Sequence, residues 1–428
     1  MMQLARKQYP YMKEILWQGK LDNGLTVFLL PKKDFYETYG MLTVEFGAIH
    51  TKYRLVKENK EVILPAGIAH FLEHKLFESE DGLDVMEKFA HFGANANAYT
   101  SLQQTSYLFS TSKNYLDALE LLQTFIFNPF FTAENVEKEQ GIIGQEIDMY
   151  QDDVDYRLYT GILSSLFPKT ALACDIAGTK ESIKCITAEN LYENHSVFYQ
   201  TNNMTLVVIG QFDVEEVWEN IQLLQKNNGL EDKKIESIPL EKLPILEHRT
   251  EEMEVSIPKL AVGLRGNDLI HEKEMQRYRL GLHLLFAMLM GWTSKRYQML
   301  YEKGKIDSSF SFHIEVSREY HFIVITVDTN EPIQLSSVLR KAIHQFESDL
   351  DVNEEHLQLI KREMYGDFIR GLNSLEFTAS YFMTHYLEGQ SIFDIPDMIE
   401  TIGLSEILAI GRQFISNCDM TDFTIFPK

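Results

Sequence analysis

The sequence predicts a protein of two domains in which each half mixes strands with helices. A chain of 428 residues is longer than one ordinary hydrophobic core, and its composition, 45% hydrophobic and 24% charged, is typical of a folded soluble protein. From Lys226 to about Arg249 the sequence changes to Asn-Asn-Gly, two prolines and dense charges, a pattern typical of a linker. We therefore expect an N-terminal domain at residues 1–228, a linker at 229–250 and a C-terminal domain at 251–428.

Hydrophobic periodicity and turn residues locate the elements of the N-terminal half. Pro65 and Gly67 precede a helix that carries two histidines, and Pro129 follows the end of a later helical pattern. The remaining patterns predict strands near residues 24–30, 41–46, 95–100, 104–110 and 203–210, and helices near residues 85–92, 114–127, 133–150 and 214–225.

The C-terminal half repeats this organisation faintly. It is predicted to contain strands near residues 255–264, 309–315 and 322–327, a helix near 279–290 and helices from Pro332 onwards. The segments 198–205 and 414–421 match at an offset of 216 residues, from Phe198 to Phe414. At that offset a second copy would keep the fold and lose the metal ligands described below, because His70, Glu73 and His74 would correspond to Phe286, Leu289 and Met290.

Charge and cysteine usage restrict the class of protein. The net charge is −23, from 63 acidic and 40 basic residues, which argues against a nucleic-acid partner. No apolar run reaches the roughly 18 residues of a membrane span, and the N-terminus lacks a secretory signal pattern. Cys174, Cys185 and Cys418 form no Cys-x-x-Cys pair. We expect reduced thiols in a cytoplasmic protein.

The pentapeptide His70-Phe-Leu-Glu73-His74 predicts a metal site. Residues four apart in a helix lie one above the other, so both histidines can bind one ion, and Glu73 can reach a water molecule beside it. This order, His-x-x-Glu-His, is the inverse of the common zinc-protease signature and is itself a zinc-protease motif. The alternative is a plain polar helix face, against which the apolar Phe71 and Leu72 argue, since they would anchor the helix in a core.

Catalytic zinc usually takes three protein ligands, so two histidines need a partner. Within the predicted helix near 133–150, Glu139 and Glu146 lie two turns apart and share a face. We expect Glu146 to be the ligand and Glu139 to orient a histidine, although spacing alone does not choose between them. The acidic candidates on this helix are Glu134, Glu137, Glu139, Glu146 and Asp148.

These residue types favour peptide hydrolysis on Zn²⁺. Zinc lowers the pKa of its water to ~7 and polarises the scissile carbonyl. Glu73 would accept the water proton and pass it to the leaving amine, as a general base and then a general acid. Esterase and deaminase chemistry find no support, because the sequence has neither a Gly-x-Ser-x-Gly elbow nor a Pro-Cys-x-x-Cys pattern.

The sequence resembles the pitrilysin/insulinase family of zinc metallopeptidases, and most closely a small bacterial, Bacillus-type branch. Four segments, at residues 67–74, 93–101, 139–147 and 203–210, carry the resemblance. It implies an α+β fold of two homologous domains, each an antiparallel-dominated sheet with helices packed on one face (a LuxS-type metalloenzyme domain repeat). It also implies a closed chamber, formed by two such pairs, that admits short or unfolded peptides.

The resemblance further assigns site residues. It implies that Glu146 is the third zinc ligand and that Glu139 supports the site. The strand matching residues 95–100 is implied to bind the substrate backbone by β-addition, with broad sequence selectivity. Its residues are Asn95, Ala96, Asn97, Ala98, Tyr99 and Thr100.

One departure from the family concerns the partner. Fully active members carry an Arg, and a Tyr seven residues later, in the half without metal; here Tyr301 and Ser308 stand at those positions. We therefore expect the chain to be the metal-bearing half of a heterodimer whose homologous partner supplies the pair, with a homodimer left open. The alternative function is a non-catalytic assembly or processing-support subunit of a peptide or protein maturation pathway.

Overall fold

The computed structural model describes residues 4–9, 14–226 and 233–428. The chain forms two compact units, and each is discontinuous along the sequence. The first unit comprises residues 1–148, 174–238 and 374–383, and the second comprises 149–173, 239–373 and 384–428. The sequence boundaries 1–228, 229–250 and 251–428 stay a prediction, and residues 229–232 of the expected linker lie outside the described residues.

The first unit contains a seven-stranded sheet in the order β1-β2-β3-β9-β4-β8-β7. Only the β3–β9 pair is parallel, and all other neighbours in this sheet run antiparallel. A small antiparallel sheet has the order β10-β5-β6. The strands are β1 (Ala5–Tyr9), β2 (Glu14–Lys20), β3 (Thr26–Pro31), β4 (Thr38–Val44), β5 (Lys52–Leu55), β6 (Lys60–Ile63), β7 (Asn95–Thr100), β8 (Thr105–Thr111), β9 (Met204–Gly210) and β10 (Ile235–Ser237).

Among the described residues between β6 and β10 there are eight α-helices, and most bury an apolar face in the core of the first unit. They are α1 (Ile68–Leu76), α2 (Val85–His91), α3 (Tyr115–Phe125), α4 (Ala133–Asp152), α5 (Val154–Leu166), α6 (Lys180–Ile183), α7 (Ala188–Phe198) and α8 (Val214–Gln225). Helix α5 is the exception, because residues 149–173 belong to the second unit.

The second unit contains a five-stranded sheet in the order β11-β15-β12-β14-β13, in which only β11 and β15 pair in parallel. Its strands are β11 (Arg249–Met253), β12 (Lys259–Arg265), β13 (Ser311–Val316), β14 (His321–Asp328) and β15 (Asp419–Pro427). The helices that follow β12 in sequence are α9 (Met275–Met290), α10 (Lys295–Glu302), α11 (Pro332–His344), α12 (Glu354–Gly371), α13 (Leu375–Leu387), α14 (Ile395–Thr401) and α15 (Leu404–Ile415). Residues 375–383 of α13 belong to the first unit.

Helix α5 packs directly on the sheet of the second unit through small residues. A side-chain carbon at Gly161 would lie 2.3 Å from the ring of Phe423 on β15. On β12, a side-chain carbon at Gly263 would lie 2.7 Å from Ile162. Both glycines therefore permit a close approach of helix and sheet that no larger residue would allow.

The two sheets repeat one topology, which confirms the α+β fold with two related domains. The order β3-β9-β4-β8-β7 corresponds strand for strand to β11-β15-β12-β14-β13, and the parallel pair occupies the same place in both. Helix α9 follows β12, and Phe286, Leu289 and Met290 on it are at most 1% exposed. These three positions, to which the repeat maps the metal motif, are therefore filled by apolar core residues.

Candidate metal centre

Helix α1 presents the sequence motif with one face in the core and the other on the site. The apolar residues Phe71 and Leu72 are fully buried, while His70, Glu73 and His74 share the opposite side. Gly67 caps the start of α1 with a φ of 89°. A side-chain carbon there would lie 2.4 Å from the carbonyl oxygen of Ala177, so this entry to the helix requires glycine.

Helix α4 supplies the carboxylates. Its buried positions are Val136, Glu139, Ile143 and Ile147, a spacing that follows one helical face. Glu139 lies on this stripe and Glu146 borders it, so packing the apolar residues of α4 brings both carboxylates towards α1.

Three side chains meet around one point. His70 Nε2 lies 3.7 Å from Glu146 Oε1, and His74 Nε2 lies 3.7 Å from Glu146 Oε2. The ligand atoms of His70, His74 and Glu146 all lie within 4.8 Å of one another. Within residues 4–9, 14–226 and 233–428, this is the one group of three or more His, Cys, Asp or Glu side chains with such an arrangement.

Glu139 occupies a different position, which distinguishes the two carboxylates that spacing could not separate. Its Oε1 accepts a hydrogen bond of 3.1 Å from Nδ1 of His74, the ring nitrogen that faces away from Glu146. Its Oε2 lies 3.7 Å from Nζ of Lys75. Glu139 therefore contacts Nδ1 of His74, whereas Glu146 faces the Nε2 atoms of both histidines.

The residues fit a zinc ion. Two imidazole nitrogens and a carboxylate are a donor set typical of catalytic zinc. Ligands at about 2.1 Å from one ion in tetrahedral geometry lie about 3.4 Å apart, close to the observed 3.7 Å separations. The hydrogen bond from His74 Nδ1 to Glu139 leaves Nε2 as the ligand atom of that ring, a common arrangement in zinc sites.

Burial and neighbouring charges shift the pKa values of His70 and His74 in opposite directions. Burial, together with the neighbouring His74, lowers the pKa of His70 to about 3, so its imidazole is neutral. Burial also acts to lower the pKa of His74, but the hydrogen bond with Glu139 and the charges of Glu73, Glu139 and Glu146 outweigh it and raise that pKa. For Glu139, the bond to His74 and the charge of Lys75 outweigh the effect of burial and lower the pKa of the carboxyl.

Glu73 is held by the adjacent strand. The side chain is buried, at 8% exposure, and the hydroxyl of Thr100 donates a 2.5 Å hydrogen bond to its Oε2. Burial raises the pKa of Glu73, and the bond from Thr100 opposes that shift. A raised pKa makes the carboxylate a stronger proton acceptor.

Strand β7 has the predicted bounds, Asn95–Thr100, and lies at the edge of the seven-stranded sheet. The Ser101 amide donates to the Gln104 carbonyl across the β7–β8 turn. Hydrogen-bonded and non-hydrogen-bonded pairs alternate along an antiparallel ladder, so the backbone groups of Ala96, Ala98 and Thr100 point away from β8. The Ala98 amide is instead bonded to the side chain of Asn97 at 2.9 Å.

Tyr301 and Ser308 occupy the two positions at which the family resemblance places an Arg and a Tyr. Tyr301 at the end of α10 and Ser308 are both exposed. The nearby arginines form ion pairs with other carboxylates, Arg296 with Asp349 and Arg318 with Glu272 at 2.6 Å. Tyr320 is buried, with its ring stacked on Phe322.

Two contacts of this site were not predicted from the sequence. Thr100 was expected on the strand, with no role for its hydroxyl, and Lys75, which is fully buried beside Glu139, was not a candidate. A lysine between His74 and the apolar Leu76 on a helix with a buried face was the available signal.

An inverted His-x-x-Glu-His helix that faces a glutamate on a second helix defines a class of zinc metallopeptidase. Residues 57–180 match the family model described as insulinase (peptidase family M16), and residues 186–364 match the peptidase M16 inactive domain. The chain is 38% identical over 429 residues to the Bacillus subtilis protein named uncharacterized zinc protease YmfH, covering 98% of this chain and 99% of that protein. The chain belongs to the M16 insulinase family.

Solved structures agree with this assignment. The crystal structure of an M16-like peptidase from Alicyclobacillus acidocaldarius matches with a TM-score of 0.91 at 28% identity, covering 97% of this chain and 99% of that one. A protease from Helicobacter pylori shares the fold, with a TM-score of 0.79 at 20% identity. In the described parts of the chain, no helix has the length and apolar character that crossing a bilayer requires.

Proposed function

We propose that the chain is the catalytic, metal-bearing subunit of a zinc endopeptidase that cleaves short or unfolded peptides. The observation that carries this proposal is the geometry of the centre: both Nε2 atoms face one carboxylate at 3.7 Å. In this proposal His70, His74 and Glu146 hold the ion, and Glu139 orients His74. Zinc bound by three ligands supplies a Lewis acid that acidifies water to a pKa of ~7 and polarises a carbonyl.

Glu73 is the proposed general base. Thr100 holds Oε2, which leaves Oε1 to take a proton from the attacking water and to return it to the leaving amine. Burial raises the pKa of this carboxyl, so it holds the transferred proton more readily than an exposed glutamate would. A positioned acid–base group of this kind contributes roughly 10²- to 10⁴-fold to the rate.

The edge of β7 is the proposed peptide-binding surface. An extended peptide added there would bond to the outward backbone groups of Ala96, Ala98 and Thr100. To do so it would displace the Asn97 side chain from the Ala98 amide. Because main-chain groups make these bonds, we expect broad sequence selectivity within a chamber that admits short or unfolded chains.

A homologous partner is proposed to complete the enzyme. Tyr301 and Ser308 replace the Arg and Tyr that would grip the substrate carbonyl, and the nearby Arg296 and Arg318 are paired with carboxylates. We therefore infer a heterodimer in which the partner supplies both side chains. The cytoplasm is the compartment that we propose for this complex.

The test is peptide hydrolysis by complexes isolated with the tagged chain from its own cells. We expect the complex to contain zinc, to cleave unfolded fluorogenic peptides, and to lose activity with a chelator. A family member bearing Arg and Tyr seven residues apart should be present in equal amount. Full turnover by a homodimer would contradict the heterodimer, and a complex that contains no zinc would favour a non-catalytic assembly role.

A further inference from the structure

Lys75 is a fully buried cation next to the proposed zinc ligand His74. Its side chain is 0% exposed, and its Nζ lies 2.5 Å from Glu78 Oε2 and 3.7 Å from Glu139 Oε2. Removing an ammonium group from water is strongly unfavourable unless it is paired, and an apolar side chain of similar volume would avoid this penalty. The charge of Lys75 therefore calls for an explanation beyond packing.

The carboxylate of Glu139 lies between Lys75 and His74. One oxygen accepts the hydrogen bond from Nδ1 of His74 at 3.1 Å, and the other faces the ammonium of Lys75. Glu139 is itself buried, with a side-chain exposure of 7%. The contact with Lys75 is an ion pair longer than a hydrogen bond, so Glu139 is oriented by one hydrogen bond on one side and by the charge of a buried ammonium on the other. The orientation of Glu139 determines the direction in which the imidazole points.

We propose that Lys75 is a positioning residue, which holds Glu139 against His74 and thereby aims Nε2 of that histidine at the metal position. The inference rests on the proposed zinc-binding role of His74. Lys75 does not contact the zinc position itself but acts through Glu139. Without its charge, Glu139 would lose one of its two anchors and His74 would lose its fixed ring orientation.

A double-mutant cycle on zinc affinity tests this mechanism. The zinc dissociation constant would be measured by chelator competition for the wild type, Lys75→Met, Glu139→Gln and the double variant. We expect Lys75→Met to weaken zinc binding roughly 10-fold or more, the range for groups that orient metal ligands. In the Glu139→Gln background the same substitution should change the affinity less than about twofold, because residues that act together are not additive. Equal weakening in both backgrounds would overturn the proposal.

Glu78→Gln is the matched control, because it removes the other carboxylate partner of Lys75 and leaves the Lys75–Glu139 contact intact. Zinc affinity should stay within about twofold of the wild type in this variant. A larger loss than in Lys75→Met would show that Lys75 acts through Glu78 and would overturn the proposal.

A spectroscopic readout separates orientation from general stability. At saturating cobalt(II), the visible spectrum of Lys75→Met should differ from that of the wild type, because a reoriented His74 changes the ligand geometry. An unchanged spectrum would overturn the proposal. If Lys75→Met fails to fold, the comparison of Lys75→Met/Glu139→Gln with Glu139→Gln remains, since this double variant leaves no charge at either position.

The outcomes distinguish this inference from the proposed function. A wild-type chain that binds no zinc would contradict the proposed function and remove the basis of the role of Lys75. A wild-type chain that binds zinc, with Lys75→Met binding it equally well, would overturn only the role of Lys75.

Discussion

The hydroxyl of Thr100 donates a 2.5 Å hydrogen bond to Glu73, so the edge strand β7 also positions the buried carboxylate of α1. The surface proposed to bind the peptide and the proposed general base are thus joined by one side chain. Substrate binding along β7 and the orientation of Glu73 should therefore depend on each other.

Replacing Thr100 with valine should impair turnover more than binding. The change keeps the shape of the side chain and removes the donor, and a hydrogen bond to a charged group contributes about 1.5–3 kcal/mol. We expect kcat to fall roughly 10- to 100-fold with an unchanged zinc content. Thr100→Ser, which retains the hydroxyl, should stay close to the wild type. Equal loss in the serine and valine variants would show that the hydroxyl is not the relevant group.

Substitutions of the two carboxylates of α4 should reduce zinc affinity to different extents. Glu146→Gln replaces one of the two carboxylate oxygens that face His70 and His74 and removes the negative charge. It should weaken binding more than Glu139→Gln, which alters the contacts behind His74 and not those with the metal position. For Glu139→Gln we expect a loss of about 10- to 100-fold. His70→Ala and His74→Ala should each lose zinc. Metal titration of the purified variants provides the measurement, and the reverse order for the two glutamates would exchange their roles.

Proline at position 98 should block peptide binding without disturbing the metal. The Ala98 amide points away from β8, so its removal leaves the sheet ladder intact, and an edge strand tolerates proline at such a position. We expect Ala98→Pro to lower kcat/KM for peptides at normal zinc content, mainly through a higher KM. Ala98→Ser keeps the amide and serves as the control. Unchanged kinetics in the proline variant would exclude β-addition along this strand.

Zinc binding should compete with a single proton near neutral pH. Metal ligation needs neutral imidazoles, and the pKa of His70, about 3, keeps that ring neutral throughout this range. The pKa of His74 lies above its usual value of 6.5, so a proton must leave this ring when the metal binds at or below that raised pKa. Zinc affinity should thus fall with decreasing pH, with release of about one proton per zinc. Calorimetric titrations in buffers of different ionisation enthalpy would measure this number, at a pH well below the ~7 at which a zinc-bound water loses its proton. Two protons per zinc at that pH would contradict the assignment.

The grouping of the candidate metal ligands was largely predictable because it depends on local spacing. His70, Glu73 and His74 share a helical face by their positions alone, and the β7 bounds Asn95–Thr100 and the α8 bounds Val214–Gln225 match the patterns that predicted them. The different positions of Glu139 and Glu146 were not accessible to spacing, since they depend on which nitrogen of the His74 ring each carboxylate meets.

Features that depend on tertiary packing were not predicted from the sequence. Helix α5, Val154–Leu166, was not predicted. Its packing on the five-stranded sheet requires Gly161 on the helix and Gly263 on the sheet, where larger residues would clash. Strand β15, Asp419–Pro427, was also missed as an element, although the Phe198/Phe414 repeat points to it, because β9 and β15 occupy equivalent positions in their sheets. Partner strands distant in sequence determine such elements, and local periodicity does not report them.

The most direct test of the central claim compares the complexes isolated with tagged wild-type chain and with Glu73→Gln, measuring zinc per chain and hydrolysis of an unfolded peptide. We expect equal zinc in both complexes and hydrolysis that is roughly 10²- to 10⁴-fold slower with the variant than with the wild type. Undiminished hydrolysis by Glu73→Gln, or the absence of zinc from both complexes, would contradict the central claim.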